Sequence, residues 1–329
     1  MRALITGITG QDGSYLAELL LEKGYEIFGL VRRDDPERYD YIRPIASRIR
    51  FIEGDLTDQG SLNAALRLSQ PHELYNAAAQ SFAAGSWRQP LETADVTGVG
   101  VLRVLEAIRT HSPKTKLVQA SSSEMFSRTD GIPVTEKTPF HPRSPYGVAK
   151  AFAHNLAVNY RESFGIFACS CICFNHESPR RGSEFLTRKV TQHAAAIKMG
   201  TKDKLTLGNL DARRDWGFAG DFVRAMWLML QQPAADDYVI ATGEVHGVRD
   251  VLDVAFSYVG LNWRNYVEID STLVRGPQDC TLFGDASKAR KMLGWKPEVN
   301  FQRLIEMMVE SDLDTLRREL AGRSAAAGA

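Results

Sequence analysis

Thr6-Gly7-Ile8-Thr9-Gly10-Gln11-Asp12-Gly13 follows a short apolar run, ALIT at 3–6, and opens onto 14–23, where leucines recur at helical spacing up to Gly24. A strand that turns through three glycines into a helix brings backbone close to an anion. Glycine tolerates the tight turn, and the first helical turn offers unpaired N–H groups at a positive dipole end. The spacing is GxxGxxG over Gly7, Gly10 and Gly13, with Thr9, Gln11 and Asp12 between them. The expected ligand is the pyrophosphate of a dinucleotide.

Outward from that turn, the residues 25–31, 48–54, 72–78 and 116–122 read as further strands, bounded by charge or turn residues. Helical periods fill 58–68 and 91–109 between them. Strand, helix, strand in repetition predicts an α/β fold, a doubly wound parallel sheet covered on both faces. After about residue 175 the alternation loosens. Helices are expected over 184–198, 219–232, 248–259, 286–293 and 301–320, with short strands at 205–207 and 238–240. The expected organisation is a mainly dinucleotide-binding part, 1–174, and a smaller interleaved substrate lobe, 175–320. The small-residue tail 321–329 is expected to fray.

The chain has 329 residues, 44% hydrophobic and 24% charged, ordinary values for a folded protein. Forty basic and forty acidic side chains cancel, which argues against nucleic acid as the main partner. No apolar run approaches the roughly 20 residues of a membrane span. Cys169, Cys171 and Cys173 alternate along ACSCICF, so they fall on one face of a strand. They read as buried structural thiols rather than a metal site, and no metal is expected. Free thiols of this kind suit a reducing cytoplasm.

Two further stretches carry chemistry. Arg32-Arg33 end the second strand, where an arginine accommodates the 2′-phosphate of NADP and an acid would hold the free ribose of NAD. Asp34 and Asp35 follow at once, so NAD stays open, but NADP is favoured. Asp55 and Leu56 close the third strand, near the expected adenine. Ser144-Pro145-Tyr146-Gly147-Val148-Ala149-Lys150 carries YxxxK, which sets phenol and ammonium one turn apart on one helix face. A nearby cation lowers a tyrosine pKa, and such a phenol can exchange a proton with a substrate hydroxyl during hydride transfer. The serine-rich strand end Ala120-Ser121-Ser122-Ser123-Glu124 adds a hydroxyl. Glu124 reads either as a base for a proton α to a ketone or as a structural carboxylate, and the residues alone leave both open.

These stretches, with YNAAAQSF (75–82), TPFHPRSPYGVAK (138–150), FNHESPRRG (174–182), FLTRKV (185–190), GNLDARRDWGFAGD (208–221) and DDYVIATGEVH (236–246), resemble the GDP-mannose 4,6-dehydratases of the extended short-chain dehydrogenase/reductase superfamily. The likeness runs over essentially the whole chain. It implies an NADP-dependent dehydratase that oxidises C4 of the sugar, loses water across C5–C6 and returns hydride to C6. By position, it assigns a hydroxyl role to Ser122, the C5 base to Glu124, and C4 proton transfer to Tyr146 with Lys150. It assigns cofactor contact to the glycine turn, Arg32, Asp55, Leu56, Ala77, Ala78, Ala79, Gln80, Ser81, Lys150, His176 and Arg181. Ser81, Ser122, Glu124, Tyr146, Asn175, Lys189, Arg214 and Arg275 are assigned to a nucleotide-diphosphate sugar. A homodimer or homotetramer is implied as well. Three positions depart from the family pattern. Serine stands at 122 for the usual threonine, serine at 127 for glycine, and Arg275-Gly276-Pro277-Gln278-Asp279-Cys280 replaces RPxEVD. A related dehydratase acting on another nucleotide sugar, such as a GDP-heptose, is therefore an alternative, as is a 4-keto-sugar reductase or epimerase.

Overall fold

Ala3, Leu4, Ile5 and Thr6 are all buried in β1 (Arg2–Thr6), so this strand has no face for water and must lie inside a covered sheet. The computed structural model describes residues 1–32, 39–126, 131–273 and 281–327. In chain order the remaining strands are β2 (Glu26–Val31), β3 (Ile49–Glu53), β4 (Glu73–Asn76), β5 (Lys116–Ser122), β6 (Ala168–Cys173), β7 (Asn175–Glu177), β8 (Leu205–Leu207), β9 (Arg213–Arg214), β10 (Trp216–Phe218), β11 (Asp237–Ile240), β12 (His246–Gly247) and β13 (Val267–Ile269). The helices are α1 (Gln11–Glu22), α2 (Gln59–Ser69), α3 (Pro90–Thr93), α4 (Gly100–His111), α5 (Pro145–Phe164), α6 (Leu186–Lys198), α7 (Ala219–Leu230), α8 (Val248–Tyr258), α9 (Ser287–Leu293) and α10 (Phe301–Ala327).

Seven strands form one parallel sheet in the order β11-β6-β5-β4-β1-β2-β3. One face buries Ile5, Tyr75, Val118 and Cys171 against Leu16 and Leu20 of α1, Met226 of α7 and Leu293 of α9. The other buries Leu4, Leu74 and Leu117 against Leu66 of α2, Leu105 of α4 and Ala157 of α5. A separate core gathers Val190 of α6, Leu252 of α8 and Met308 of α10. β11 comes from the later half of the chain yet completes the main sheet, so the two halves interleave. The sheet order reverses between β1 and β4, and that is where a doubly wound sheet opens a ligand crevice.

Most expected elements appear within a residue or two of their sequence limits. Three differ for physical reasons. The helix expected over 91–109 is α3, a wider π-helical stretch Ala94–Val99, and α4. There the chain presses on its neighbours: a Cβ at Gly98 would stand 3.2 Å from Phe152, and one at Gly100 2.9 Å from Leu56. The strand expected to reach 78 stops at Asn76, because the Ala78 N–H turns to the Thr6 hydroxyl (3.1 Å) instead of a strand neighbour. The last helix runs on to Ala327, past the expected frayed end at 320, through an alanine-rich stretch of high helix propensity. The three cysteines lie on β6, buried, with the sulfurs of Cys171 and Cys173 3.3 Å apart. Among the described residues no helix is long and apolar enough to cross a membrane.

Candidate active site

The glycine turn lies at the carboxyl end of β1, against the chain leaving β4. Gly7 adopts φ +68°, and a Cβ there would stand 2.9 Å from the Ala78 Cα. A Cβ at Gly13 would come within 2.2 Å of the Gly7 carbonyl oxygen. Only bare backbone fits this turn, and the start of α1 faces the same space, so the residues suit a dinucleotide pyrophosphate. Gln11 donates to the His176 carbonyl (3.1 Å) and accepts from the Ser178 hydroxyl (2.8 Å), tying the turn to β7.

Asp12 Oδ2 lies 2.9 Å from His176 Nε2, while His176 Nδ1 lies 2.7 Å from the Phe174 carbonyl oxygen. Carboxylate and carbonyl both accept, so both ring nitrogens donate and the ring is an imidazolium. Burial opposes that charge, but the Asp12 carboxylate outweighs it and the His176 pKa rises to about 9. For Asp12 burial likewise works against ionisation; His176, Gln11 and Arg181 prevail and hold it at about 2.

The other expected cofactor residues surround this crevice. Arg32 is exposed at the end of β2, and Arg33 lies outside the described residues. Asp55 accepts from the Thr57 N–H and hydroxyl, both at 2.8 Å. Leu56 is buried beside Gly100, its carbonyl held by Arg103 (3.1 Å). Ala77, Ala78, Ala79, Gln80 and Ser81 continue from β4, with the Gln80 N–H donating to Thr97 Oγ1 (3.1 Å).

Ser122 ends β5, and its Oγ accepts from the Glu124 N–H (3.1 Å), capping the 3-10 turn Ser123–Met125 that carries Glu124. Ser144 caps α5 through the Gly147 N–H (3.0 Å), with Pro145 in the first turn. That cap sets Tyr146 and Lys150 facing the end of β5. The Tyr146 phenol lies near enough to Ser122 to be influenced by it, and the Tyr146 backbone N–H donates to Ser86 Oγ (3.3 Å). Lys150 donates to the Ala120 carbonyl (2.6 Å), its Nζ 5.7 Å from the centre of the Tyr146 ring.

The tyrosine pKa does not follow the expected direction. Burial raises it well above the usual phenol range and Glu124 adds to that, while Ser122 and Arg181 pull it back. Burial also lowers Lys150 to about 8, with Cys173 and Asp12 opposing. Glu124 is raised by burial, with Arg214 opposing. A buried phenol, an ammonium, a hydroxyl and a carboxylate of raised pKa thus converge where the strands end. Such a set can move protons at two adjacent carbons.

Arg181 pairs with Glu177 (3.1 Å) and lies over the Phe185 ring (3.5 Å), near enough to influence Asp12, Tyr146 and His176. Asn175 pairs in register with Trp216, and Arg214 with His246. Lys189 stands apart on α6, its ammonium held by the Thr206 carbonyl (2.7 Å). Arg275 and the rewritten segment around it lie outside the described residues, as does Ser127. Ser86 and Gly147 belong to the site without having been expected there. Gly147 had a usable signal, since glycine in the first turn of a helix asks for a close neighbour; Ser86 had none.

A doubly wound parallel sheet with this glycine turn and a Ser-Tyr-Lys set at its edge defines an extended short-chain dehydrogenase/reductase. The family profile described as GDP-mannose 4,6 dehydratase matches residues 4–308. GDP-mannose 4,6 dehydratase 1 of Arabidopsis thaliana is 54% identical, with 96% of this chain and 91% of that protein covered. The GDP-mannose 4,6-dehydratase of Vibrio cholerae is 46% identical over 95% of this chain and 93% of its own. Among solved structures, a dTDP-glucose 4,6-dehydratase from Streptomyces venezuelae, with NAD bound, shares the fold at a TM-score of 0.84 and 24% identity, covering 94% of this chain and 96% of its own. The chain belongs to the GDP-mannose 4,6-dehydratase family, enzymes of the hydro-lyase type.

Proposed function

We propose that this protein converts GDP-mannose to GDP-4-keto-6-deoxymannose with NADP as a catalytic cofactor. The observation that carries the reading is the half-buried Glu124, its pKa raised, beside Ser122 and Tyr146 in a chain whose relatives are dehydratases. A reductase needs no such second base, and the same relatives favour a dehydratase over an epimerase and GDP-mannose over a GDP-heptose.

Tyr146 Oη takes the proton of the C4 hydroxyl as a phenolate, the form that Lys150 and the positive ring of an oxidised nicotinamide would favour against the burial that raises its pKa, and Ser122 Oγ holds that oxygen in line. The bound nicotinamide supplies the hydride acceptor at C4 and the hydride donor at C6. Once C4 is a ketone, the C5 hydrogen is acidic, and Glu124 takes it as the C6 hydroxyl leaves. Burial suits Glu124 to this, because a base of raised pKa also returns the proton more readily to the leaving hydroxyl. Lys150 would hold the cofactor ribose, and the glycine turn, braced by Asp12 and His176, would hold the pyrophosphate. The exposed Arg32 supports NADP over NAD, since a 2′-phosphate offers it paired acceptors. Arg181 serves the cofactor side, and Asn175, Lys189, Arg214 and Arg275 the sugar nucleotide. Residues 1–174 serve mainly the cofactor and 175–320 mainly the sugar nucleotide.

The working form is a homodimer or homotetramer. Trp87 and Phe152 are 67% and 45% exposed around an apolar groove of about 650 Å³ that also includes Pro90 and Val148, a surface suited to a second copy. The three unpaired thiols of β6 support a reducing cytoplasm. Mass spectrometry of products from GDP-mannose and NADP⁺ tests the reading. A product lighter by one water supports it; unchanged mass, or a reduced or epimerised sugar, overturns it.

A further inference from the structure

Strands buried on both faces of a parallel sheet are normally apolar throughout. Thr6, Asn76 and Gln119 break that rule together. They are direct register partners across β1, β4 and β5, and each is 1% exposed. Their side chains form one continuous chain of hydrogen bonds. The Ala78 N–H donates to Thr6 Oγ1 (3.1 Å), and Thr6 Oγ1 donates to Asn76 Oδ1 (2.6 Å). Asn76 Nδ2 donates to Gln119 Oε1 (2.7 Å), and Gln119 Nε2 donates to the Ala120 carbonyl (2.9 Å). That same carbonyl oxygen accepts from Lys150 Nζ (2.6 Å).

The direction of this chain is fixed at both ends. A backbone N–H only donates and a carbonyl only accepts, so each hydroxyl and amide between them has one workable orientation. Turning either amide over would set donor against donor and acceptor against acceptor, with no water to compensate. Three apolar residues would fill the same places without that risk, so packing alone gives no reason for the trio. The two ends supply one. Ala78 is the residue that a Cβ on Gly7 would strike, in the floor of the dinucleotide crevice. Lys150 sits on a four-carbon stem whose ammonium needs a fixed acceptor to hold one place.

We propose that Thr6, Asn76 and Gln119 are positioning residues, a relay that pins the Ala120 carbonyl onto Lys150 and ties the lysine to the loop at Ala78. The relay acts on cofactor binding through Lys150, and so rests on Lys150 touching the cofactor. NADPH affinity by fluorescence titration, with the KM of GDP-mannose alongside, provides the readout on the full-length protein. Gln119→Leu is expected to weaken NADPH by about tenfold, with the GDP-mannose KM moving by less than about twofold. Thr6→Val moves NADPH affinity the same way, and Thr6→Ser, which keeps the hydroxyl, restores it. In a Lys150→Met background, Gln119→Leu adds no further loss. An unchanged affinity in folded Gln119→Leu overturns the relay, and so does full additivity with Lys150→Met. If Lys150→Met alone leaves NADPH affinity intact, the assigned role of Lys150 fails and the relay falls with it. Should Gln119→Leu not fold, the Thr6 pair decides: equal effects of valine and serine overturn the proposal.

Discussion

Gly147 lies so close to Glu124 that a Cβ on it would stand 2.3 Å from the Glu124 carbonyl oxygen. The obstacle is backbone, which yields little, so this glycine seats the first turn of α5 directly on the turn that carries the carboxylate. The spacing between Tyr146 and Glu124 is thus set by main chain. Gly147→Ala should push the two turns apart, lowering stability by about 1–3 kcal/mol. Turnover should drop by about a hundredfold, the usual effect of displacing a catalytic group by an ångström. Denaturant unfolding and steady-state kinetics check this; wild-type turnover would show that the turn gives way without moving the tyrosine.

Tyr146→Phe removes the hydroxyl beside Ser122 and leaves the ring in its buried place. Turnover should fall between about 10²- and 10⁴-fold, the range for losing a positioned proton-transfer group. NADPH affinity should stay close to the wild-type value, because in the proposed mechanism the phenol acts on the sugar. A comparable loss in both would assign Tyr146 to binding rather than chemistry.

The sheet was legible because its signal is local: β1, the glycine turn and α1 are adjacent in the chain, and buried strands read as apolar runs. The catalytic cluster was legible as residue types in motifs, but its electrostatics was not. The Tyr146–Lys150 spacing suggests a lowered phenol pKa, whereas burial, which depends on the whole fold, raises it. The Thr6–Asn76–Gln119 chain joins positions about 40 to 70 residues apart, for which no window along the sequence holds a pattern. The short strands β7, β9, β10 and β12 escaped notice for the same reason, since two or three residues carry too little alternation.

Arg32 follows the last residue of β2 and is exposed to solvent, and no ion pair fixes it among the described contacts. Arg32→Ala should therefore leave the fold intact. NADP should bind roughly tenfold more weakly, the value of a charge-assisted hydrogen bond to phosphate. NAD should change little, since it lacks that phosphate. Titrating both cofactors separates the outcomes: equal losses would mean that Arg32 only supports its loop.

The Asp12–His176 pair gives a pH dependence whose sign follows from its two shifts. His176 titrates at about 9 when folded against an ordinary 6.5, so its contribution is complete below about 6.5 and is lost as pH rises toward 9. Asp12 titrates at about 2 against an ordinary 3.8, so its contribution holds above about 4 and is lost as pH falls toward 2. The two describe one contact and are counted once, at most about 2–3 kcal/mol. Lys150, depressed to about 8, works in the opposite direction above that pH. The clean measurement is therefore a comparison. Unfolding free energies of the wild type and Asp12→Asn should differ most between about pH 4 and 6.5 and converge toward pH 9. A difference that stays constant across this range would mean the pair is not ionic.

Glu124→Gln gives the most discriminating test of the chemistry. Glutamine keeps the size and the capped backbone of the turn, because the Glu124 N–H still reaches Ser122 Oγ. It removes the proposed base alone. In the proposed mechanism C4 oxidation needs Tyr146, Ser122 and Lys150 but not Glu124, so the variant should bind GDP-mannose and reduce the cofactor in a single turnover. Elimination should then stop, leaving the absorbance of reduced nicotinamide on the enzyme and no exchange of the C5 hydrogen with deuterated solvent. The wild-type profile should agree with this: activity falls as pH drops through the raised Glu124 pKa, since a base must be deprotonated to act. Dehydrated product at the wild-type rate from Glu124→Gln would refute the assignment. Reduced cofactor without exchange would fix the carboxylate at C5 and separate it from the phenol at C4.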